Sequence, residues 1–277
     1  MNSPLNPVVV GVVGQQPYAL QFAADEAHLR QTALRVVHSA GNSAQVADFY
    51  AGNEIYDALQ QAGREILQEA QEAVDADGRL SGTTYSLSAR TPVDLLESES
   101  LEAALLIVGS DEINWLDRLL GGSVTGRLAF HAHCPLVVVQ EPNFTPTPTE
   151  TVVVALDGEE ADAALLTFAF EWADLHHLDL RVLHATDPRW LPADLRIMRA
   201  NISEVLAGWR EMYPEVTVHL EFASADPEDA CVRATGTADL IVMGRPSRRS
   251  LPFLSAGSIV PHVISAAHCP IAIIPGA

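Results

Sequence analysis

Three arginines, Arg245, Arg248 and Arg249, crowd into one short stretch of a chain whose formal net charge is −20. They follow Gly244, which ends the apolar run Leu240-Ile241-Val242-Met243, and they precede Gly257-Ser258, where a helical pattern begins. Glycine lets main chain approach a ligand closely. Free N–H groups at a helix start, with the helix dipole behind them, form an anion site. The chemistry on offer is capture of a phosphate-bearing molecule by backbone donors and guanidinium groups. A plainer reading fits the same residues: the glycines end a strand and open a helix, and the arginines form a solvated cluster. These residues alone leave both readings open.

Other reactive side chains offer less. Cys134, Cys231 and Cys269 are widely spaced and form no CxxC pair, which argues against a zinc site or a disulfide framework and for buried thiols. His133 and His268 each precede Cys-Pro, with no surrounding set of metal-ligand spacing, and read as structural. His38 and His184 each end a second strand, where service to the fold and lining of a pocket are both open. There is no P-loop, no evident metal cluster and no nucleophile with a base beside it, so the expectation is a protein without rapid turnover; a slow ATPase stays open. The acidic charge repels nucleic acid and anionic lipid at long range. No apolar run reaches the length of a membrane span. The first residues lack the basic and apolar regions of a secretory signal, so the expected location is cytoplasmic.

The residues that could hold a ligand occur twice. His133-Cys134-Pro135-Leu136-Val137-Val138-Val139 matches His268-Cys269-Pro270-Ile271-Ala272-Ile273-Ile274 at an offset of 135, and Leu105 to Gly109 matches Leu240 to Gly244 at the same offset. Val8 to Gly14 parallels Val152 to Gly158 at an offset of 144. Three segments in register imply duplication. The Pro- and Thr-rich stretch from Glu141 to Glu150 reads as an extended connector, giving a first domain over 1–143 and a second over 151–277.

Within the second copy, strand patterns at Thr151 to Leu156, Asp179 to His184, Val216 to Phe222, Asp239 to Met243 and Pro270 to Ile274 alternate with helical ones. The helices are expected at Ala161 to His177, Leu191 to Met212, Pro227 to Thr235 with Asp226 as N-cap, and Gly257 to Ala267. The first copy repeats the order, with a longer helix around Ala44 to Ala76. Strands apolar on both faces and alternating with helices predict an α/β fold of two tandem, doubly wound, parallel five-stranded sheets with helices on both faces. Ligands bind such sheets beyond the strand carboxyl ends, where the strand order reverses.

Here a resemblance becomes specific. Asp239-Leu240-Ile241-Val242-Met243-Gly244, then Gly257-Ser258, then His268-Cys269-Pro270 resembles the universal stress protein family, whose loop reads Gly-x2-Gly-x9-Gly-Ser/Thr. Asp157-Gly158 matches the pair that ends that family's first strand. The likeness spans both halves and implies the family's adenine nucleotide alpha hydrolase-like fold. It implies that Asp157, with Ala155 beside it, lies near adenosine, that Ala185 offers backbone groups to the adenine, and that Gly244, preceded by Met243, meets the ribose. Ser247, Gly257, Ser258 and Ile259 would present donors to the phosphates, with Arg248 adding charge. Ser247 stands where the family has its second glycine, and its Cβ is penalised if that position needs positive φ.

The first copy departs further, with Glu112 at the second glycine position and Val13 in place of the aspartate. Like charges about 5 Å apart repel by roughly 3 kcal/mol at an effective dielectric near 20. A helix terminus returns only about 0.3 to 2 kcal/mol. The first half is therefore expected to bind nucleotide weakly or not at all. The resemblance implies an adenine nucleotide, ATP with or without Mg, held mainly in the C-terminal half of a nucleotide-dependent stress-response regulator or adaptor. The alternative is a structural or interaction module that has lost nucleotide binding. The resemblance also implies intrachain pairing of the two domains through Leu136 to Val139 and Ile271 to Ile274, with a homodimer and a protein partner left open.

Overall fold

A computed structural model describes residues 6–14, 16–41, 53–110, 124–140, 149–156, 163–186, 192–245 and 259–276. The chain divides into two compact units, Met1–Glu141 and Pro142–Ala277. In the first, the described elements run β1 (Val8–Gly11), α1 (Pro17–Leu29), β2 (Leu34–Ser39), α2 (Asn53–Asp77), β3 (Thr84–Ser88), α3 (Pro92–Glu99), β4 (Leu105–Gly109), α4 (Val124–His131) and β5 (Leu136–Val139). The second runs β6 (Thr151–Ala155), α5 (Ala163–His176), β7 (Asp179–Thr186), α6 (Pro192–Met212), β8 (Val218–Ser224), α7 (Pro227–Thr235), β9 (Leu240–Gly244), α8 (Ile259–Ala266) and β10 (Ile271–Ile274).

Each unit builds one five-stranded sheet, ordered β3-β2-β1-β4-β5 in the first and β8-β7-β6-β9-β10 in the second, with adjacent strands parallel. The order grows outward from β1 to β3, then reverses to add β4 and β5. Right-handed crossovers therefore send the first two helices to one face and the next two to the other. The contacts agree, since α1 packs with α2, α3 with α4, and α7 with α8. This is the doubly wound α/β architecture expected from the sequence.

Central strands are buried on both faces, and that explains their unbroken apolar runs. Val8, Val9 and Val10 are sealed from solvent, as are Val152, Val153 and Val154. The outer strands β3 and β8 keep partly exposed faces, which is why Val218–Ser224 alternates where β9 does not. β8 starts two residues later than expected, and the helix foreseen around Ala44 to Ala76 is described only over Asn53–Asp77. Asp226 stands at the N-cap of α7 with extended backbone, but its side chain makes no capping hydrogen bond. At the matching place in the first unit, Thr91 does cap α3: its Oγ1 accepts from the Asp94 amide at 3.3 Å and donates to Asp94 Oδ2 at 2.7 Å. Pro227, whose missing N–H and fixed φ suit the first helical position, is the device both helices share through Pro92.

Duplication reaches single hydrogen bonds. Ser100 Oγ accepts from the His133 amide at 3.0 Å, and Thr235 Oγ1 accepts from the His268 amide at 3.1 Å. The same two hydroxyls donate back into their own helix ends, to Glu97 O at 2.7 Å and Val232 O at 2.6 Å. His133 and His268 thus serve the fold through their main chains, fixing the entry to β5 and β10.

Candidate functional site

The strand order reverses between β6 and β9 in the second unit and between β1 and β4 in the first. Side chains and loops cannot close such a reversal as helices close the flanks, so the crevice opens at the carboxyl ends of those strands. In the second unit Val154 is in register with Val242, and Ala155 with Leu183. That register brings Ala155, Ala185, Met243 and Gly244 to one end of the sheet. Ala155, Ala185 and Gly244 are half-buried there, whereas the strand interiors below them are sealed. Met243 is buried, leaving its main chain as the part nearest the crevice. Ile259 opens α8, whose N-terminus is on the same side because the crossover must return to the amino end of β10. Asp157, Ser247, Arg248, Gly257 and Ser258 lie outside the described residues.

Nothing among the described residues requires glycine at 244. A Cβ built there would meet, among the described residues, only Leu165 Cδ2 at 3.9 Å, an ordinary contact. Arg245, the next residue, donates its amide to Ile274 O at 2.9 Å, which pins the exit of β9 against β10.

At the end of β7 stands His184, a histidine the sequence singles out. His184 is 3% exposed, and its Nδ1 lies 2.9 Å from the carbonyl oxygen of Leu156, the residue that follows β6. A carbonyl can only accept, so Nδ1 carries the proton. Phe222 meets the imidazole edge-on with ring centroids 5.9 Å apart, and the Arg199 guanidinium stands 4.8 Å over the other ring, Phe222. This stack of His184, Phe222 and Arg199 was not foreseen as a unit, because its members come from β7, β8 and α6. His38 repeats the clamp in the first unit, its Nδ1 2.7 Å from Val12 O. Both histidines orient the chain that leaves the first strand of their unit.

Over β4 the first unit differs. A Cβ built on Gly109 would lie 2.9 Å from the Gln16 side-chain carbon Cδ and Nε2 and 3.1 Å from Oε1. Gln16 Oε1 also accepts from the Val13 amide at 3.3 Å. The carboxamide therefore spans the switch point, from the extension of β1 to the last residue of β4. Val13, which replaces the second copy's Asp157, is 57% exposed, and Glu112 lies outside the described residues.

The remaining sequence candidates are structural. Asp239, the first residue of the Asp-Leu-Ile-Val-Met-Gly run, sits at the amino end of the sheet, away from the crevice. Its carboxylate accepts from the Thr149 amide at 3.2 Å, Thr149 Oγ1 at 3.0 Å and the Thr151 amide at 3.1 Å, tying the start of β6 to β9. The cysteines are buried, and that burial pushes the Cys134 and Cys269 thiols up to about 12 and Cys231 up to about 11. Thiols so protonated are poor nucleophiles and poor metal ligands. Among the described residues no group of three or more His, Cys, Asp or Glu is placed to hold a metal, and no helix is long and apolar enough to cross a membrane.

The frame defines a class: two tandem α/β domains, each a doubly wound parallel sheet whose strand order reverses once. A family model for the universal stress protein family matches residues 5–140 and again 148–275. The chain belongs to the universal stress protein family and carries two of its domains in tandem. It is 30% identical over 270 residues to a universal stress protein of Mycobacterium tuberculosis strain H37Rv, covering 91% of this chain and 90% of the relative. A second protein of that strain, also named a universal stress protein, is 31% identical over 281 residues, with 95% of each chain covered. The crystal structure of a universal stress protein from Archaeoglobus fulgidus DSM 4304 shares the fold, with a TM-score of 0.70 and 18% identity over 98% of each chain.

Proposed function

We propose that the second unit binds an adenine nucleotide, ATP by the family resemblance, and that the protein acts in the stress response as a nucleotide-dependent regulator or adaptor of the cytoplasm. The observation that carries this reading is the space above Gly244, which a side chain could enter with only Leu165 within 4 Å among the described residues. Around it stand half-buried main chain at Ala155 and Ala185 and the His184-held exit of β6. Backbone groups at a strand end suit the adenine and ribose, and the start of α8 suits a phosphate.

By the resemblance, Arg248 and Arg249 would offset the acidity of the whole chain where a polyphosphate would lie. By the resemblance, Asp157 would lie near the adenosine and Ser247, Gly257 and Ser258 would donate to the phosphates; Mg, if it accompanies ATP, would help neutralise their charge. The site supplies binding and orientation. Regulation through occupancy, with no rapid hydrolysis, is the use we read for such a crevice.

The test is release of small molecules from the purified, denatured chain, followed by mass spectrometry and calorimetric titration of the stripped protein with ATP. An adenine nucleotide at one per chain is expected. A ligand at a hundredfold excess over its Kd adds about 2.7 kcal/mol to stability, so a thermal shift of several degrees should accompany it. No nucleotide and no shift would favour an interaction module that has lost its ligand, the reading that Ser247 at a glycine position motivates.

A further inference from the structure

We propose that Gln16 is the specificity-determining residue that closes the first unit's crevice, its carboxamide filling the place over Gly109 whose counterpart over Gly244 is approached, among the described residues, only by Leu165. This inference rests on the reading of that crevice as a nucleoside site.

The geometry is specific to the switch point. Gln16 is half-buried and occupies the N-cap position of α1, yet its side chain makes no capping hydrogen bond to the helix. It turns instead toward the sheet. Its Oε1 takes the Val13 amide at 3.3 Å, a main-chain donor that a ligand between β1 and β4 would meet first. Its Cδ and Nε2 come within 2.9 Å of where a Gly109 Cβ would be, so the planar amide lies against the bare face of that glycine. A sugar ring cannot share the place. In the second unit the corresponding glycine has Leu165 Cδ2 at 3.9 Å as its nearest described neighbour, and that contact excludes nothing.

The plug acts on the nucleoside end of a ligand, whereas the repulsion expected from Glu112 would act on its phosphates. The two barriers can therefore be separated by a probe without charge. A glutamine side chain is also a movable block, unlike a wall of β-branched side chains. Shortening it should open the first crevice and leave the sheet below it unchanged, because Val8, Val9 and Val10 are sealed independently.

The experiment titrates the full chain with adenosine by calorimetry and maps protection by hydrogen exchange, for the parent protein, Gln16→Ala and the near-isosteric Gln16→Glu. The parent should take one adenosine, with protection at the peptides ending β6 and β9. Gln16→Ala should take two, with new protection around Val12–Gly14 and Val108–Ser110 and a gain of tenfold or more in first-unit affinity. Gln16→Glu should stay at one, and circular dichroism of all three should show the same fold. Faster exchange of the Val13 amide in unliganded Gln16→Ala would show that the contact exists in solution, and unchanged exchange there would overturn the proposal. If that amide quickens and Gln16→Ala still takes a single adenosine in the second unit, the plug is overturned and the nucleotide reading stands. If the parent takes none and Gln16→Ala gains one in the first unit, the plug stands and the placement of the ligand in the second unit fails. No adenosine in any variant would sink both.

Discussion

In the first unit Arg35 reaches down to Glu99 at 2.7 Å, and in the second Arg181 reaches the same helix end through Thr237 Oγ1 at 2.9 Å. His38 and His184 hold Val12 and Leu156; Ser100 and Thr235 hold His133 and His268. Below the carboxyl ends of the strands the two halves repeat one design with substituted parts. At the switch point they part: Gln16 lies over Gly109, and among the described residues nothing of that size lies over Gly244. The contrast separates two kinds of constraint. Residues that satisfy buried main chain must be replaced by others that do so, because an unmet buried group costs about 1 to 3 kcal/mol. Residues that face a ligand are held only by the ligand, so a copy that stops binding is free to fill its own cleft.

The largest effect expected from this contrast is on nucleotide affinity. Gly244→Val places a branched side chain in the space the ribose would take, and at 3.9 Å Leu165 gives the fold little reason to object. ATP binding by calorimetry should weaken more than about 100-fold, roughly 2.7 kcal/mol, with the melting temperature of the unliganded protein nearly unchanged. Gly109→Ala should leave ATP binding untouched, since that crevice is already filled, while pushing Gln16 aside. Equal losses from the two substitutions would break the comparison.

Alkaline pH should then distinguish the units by their thiols. Burial holds Cys134 and Cys269 near 12 and Cys231 near 11, all above the value of a free thiol. The folded state keeps the neutral form, so this contribution is fully present below the unfolded pKa of about 8.5 to 9 and is lost as pH rises toward the folded values. Each thiol weakens its unit by up to about 1.4 kcal/mol per pH unit across that window. The first unit holds Cys134 alone, and the second holds Cys231 and Cys269. Limited proteolysis mapped by mass spectrometry between pH 8 and 10 should therefore find the second unit opening more steeply, and replacing Cys231 with alanine should narrow the gap.

The histidine clamps sharpen the comparison from the structural side. Removing His38 or His184 leaves a carbonyl unpaired at the exit of the first strand, and each change should cost about 1 to 3 kcal/mol in urea melts. Only His184→Ala should also lower ATP affinity, because Leu156 leads to the crevice proposed to hold the nucleotide. A matching loss from His38→Ala would mean that the first crevice takes nucleotide after all.

The frame was legible in the sequence because its signals are dense and local. Apolar runs buried on both faces, Pro227 at a helix start, and a motif repeated at a fixed offset each report a short-range requirement. Val218–Ser224 was placed two residues early, since an outer strand half exposed to water carries a weaker pattern. Asp239 was noticed as part of a motif, but its task at the far end of the sheet depends on Thr149, ninety positions away. Ser100 and Thr235 went unnoticed although they stand at the motif's own offset, because a lone hydroxyl announces nothing until its partner is known. Gln16 was invisible for the same reason. Its effect depends on where β1 and β4 come together, and neither segment carries a trace of it.

The smallest expected effect concerns a feature the halves share. Gln31 and His177 follow α1 and α5 with φ of 53° and 55°, the left-handed turn that glycine adopts without penalty. The next amides close the turns identically, Thr32 to Ala27 O at 3.0 Å and Leu178 to Ala173 O at 2.9 Å, the six-to-one bond of a Schellman cap. Both side chains are exposed, so nothing packed is lost on removing them. Gln31→Gly and His177→Gly should each stabilise by about 0.5 to 1 kcal/mol, the relief of left-handed strain exceeding glycine's extra chain entropy. Because the two caps belong to the shared frame, the gains should be equal within about 0.3 kcal/mol and additive in the double variant. Neither should move ATP affinity. A gain confined to one unit would mean that the likeness of the two frames stops short of their helix ends.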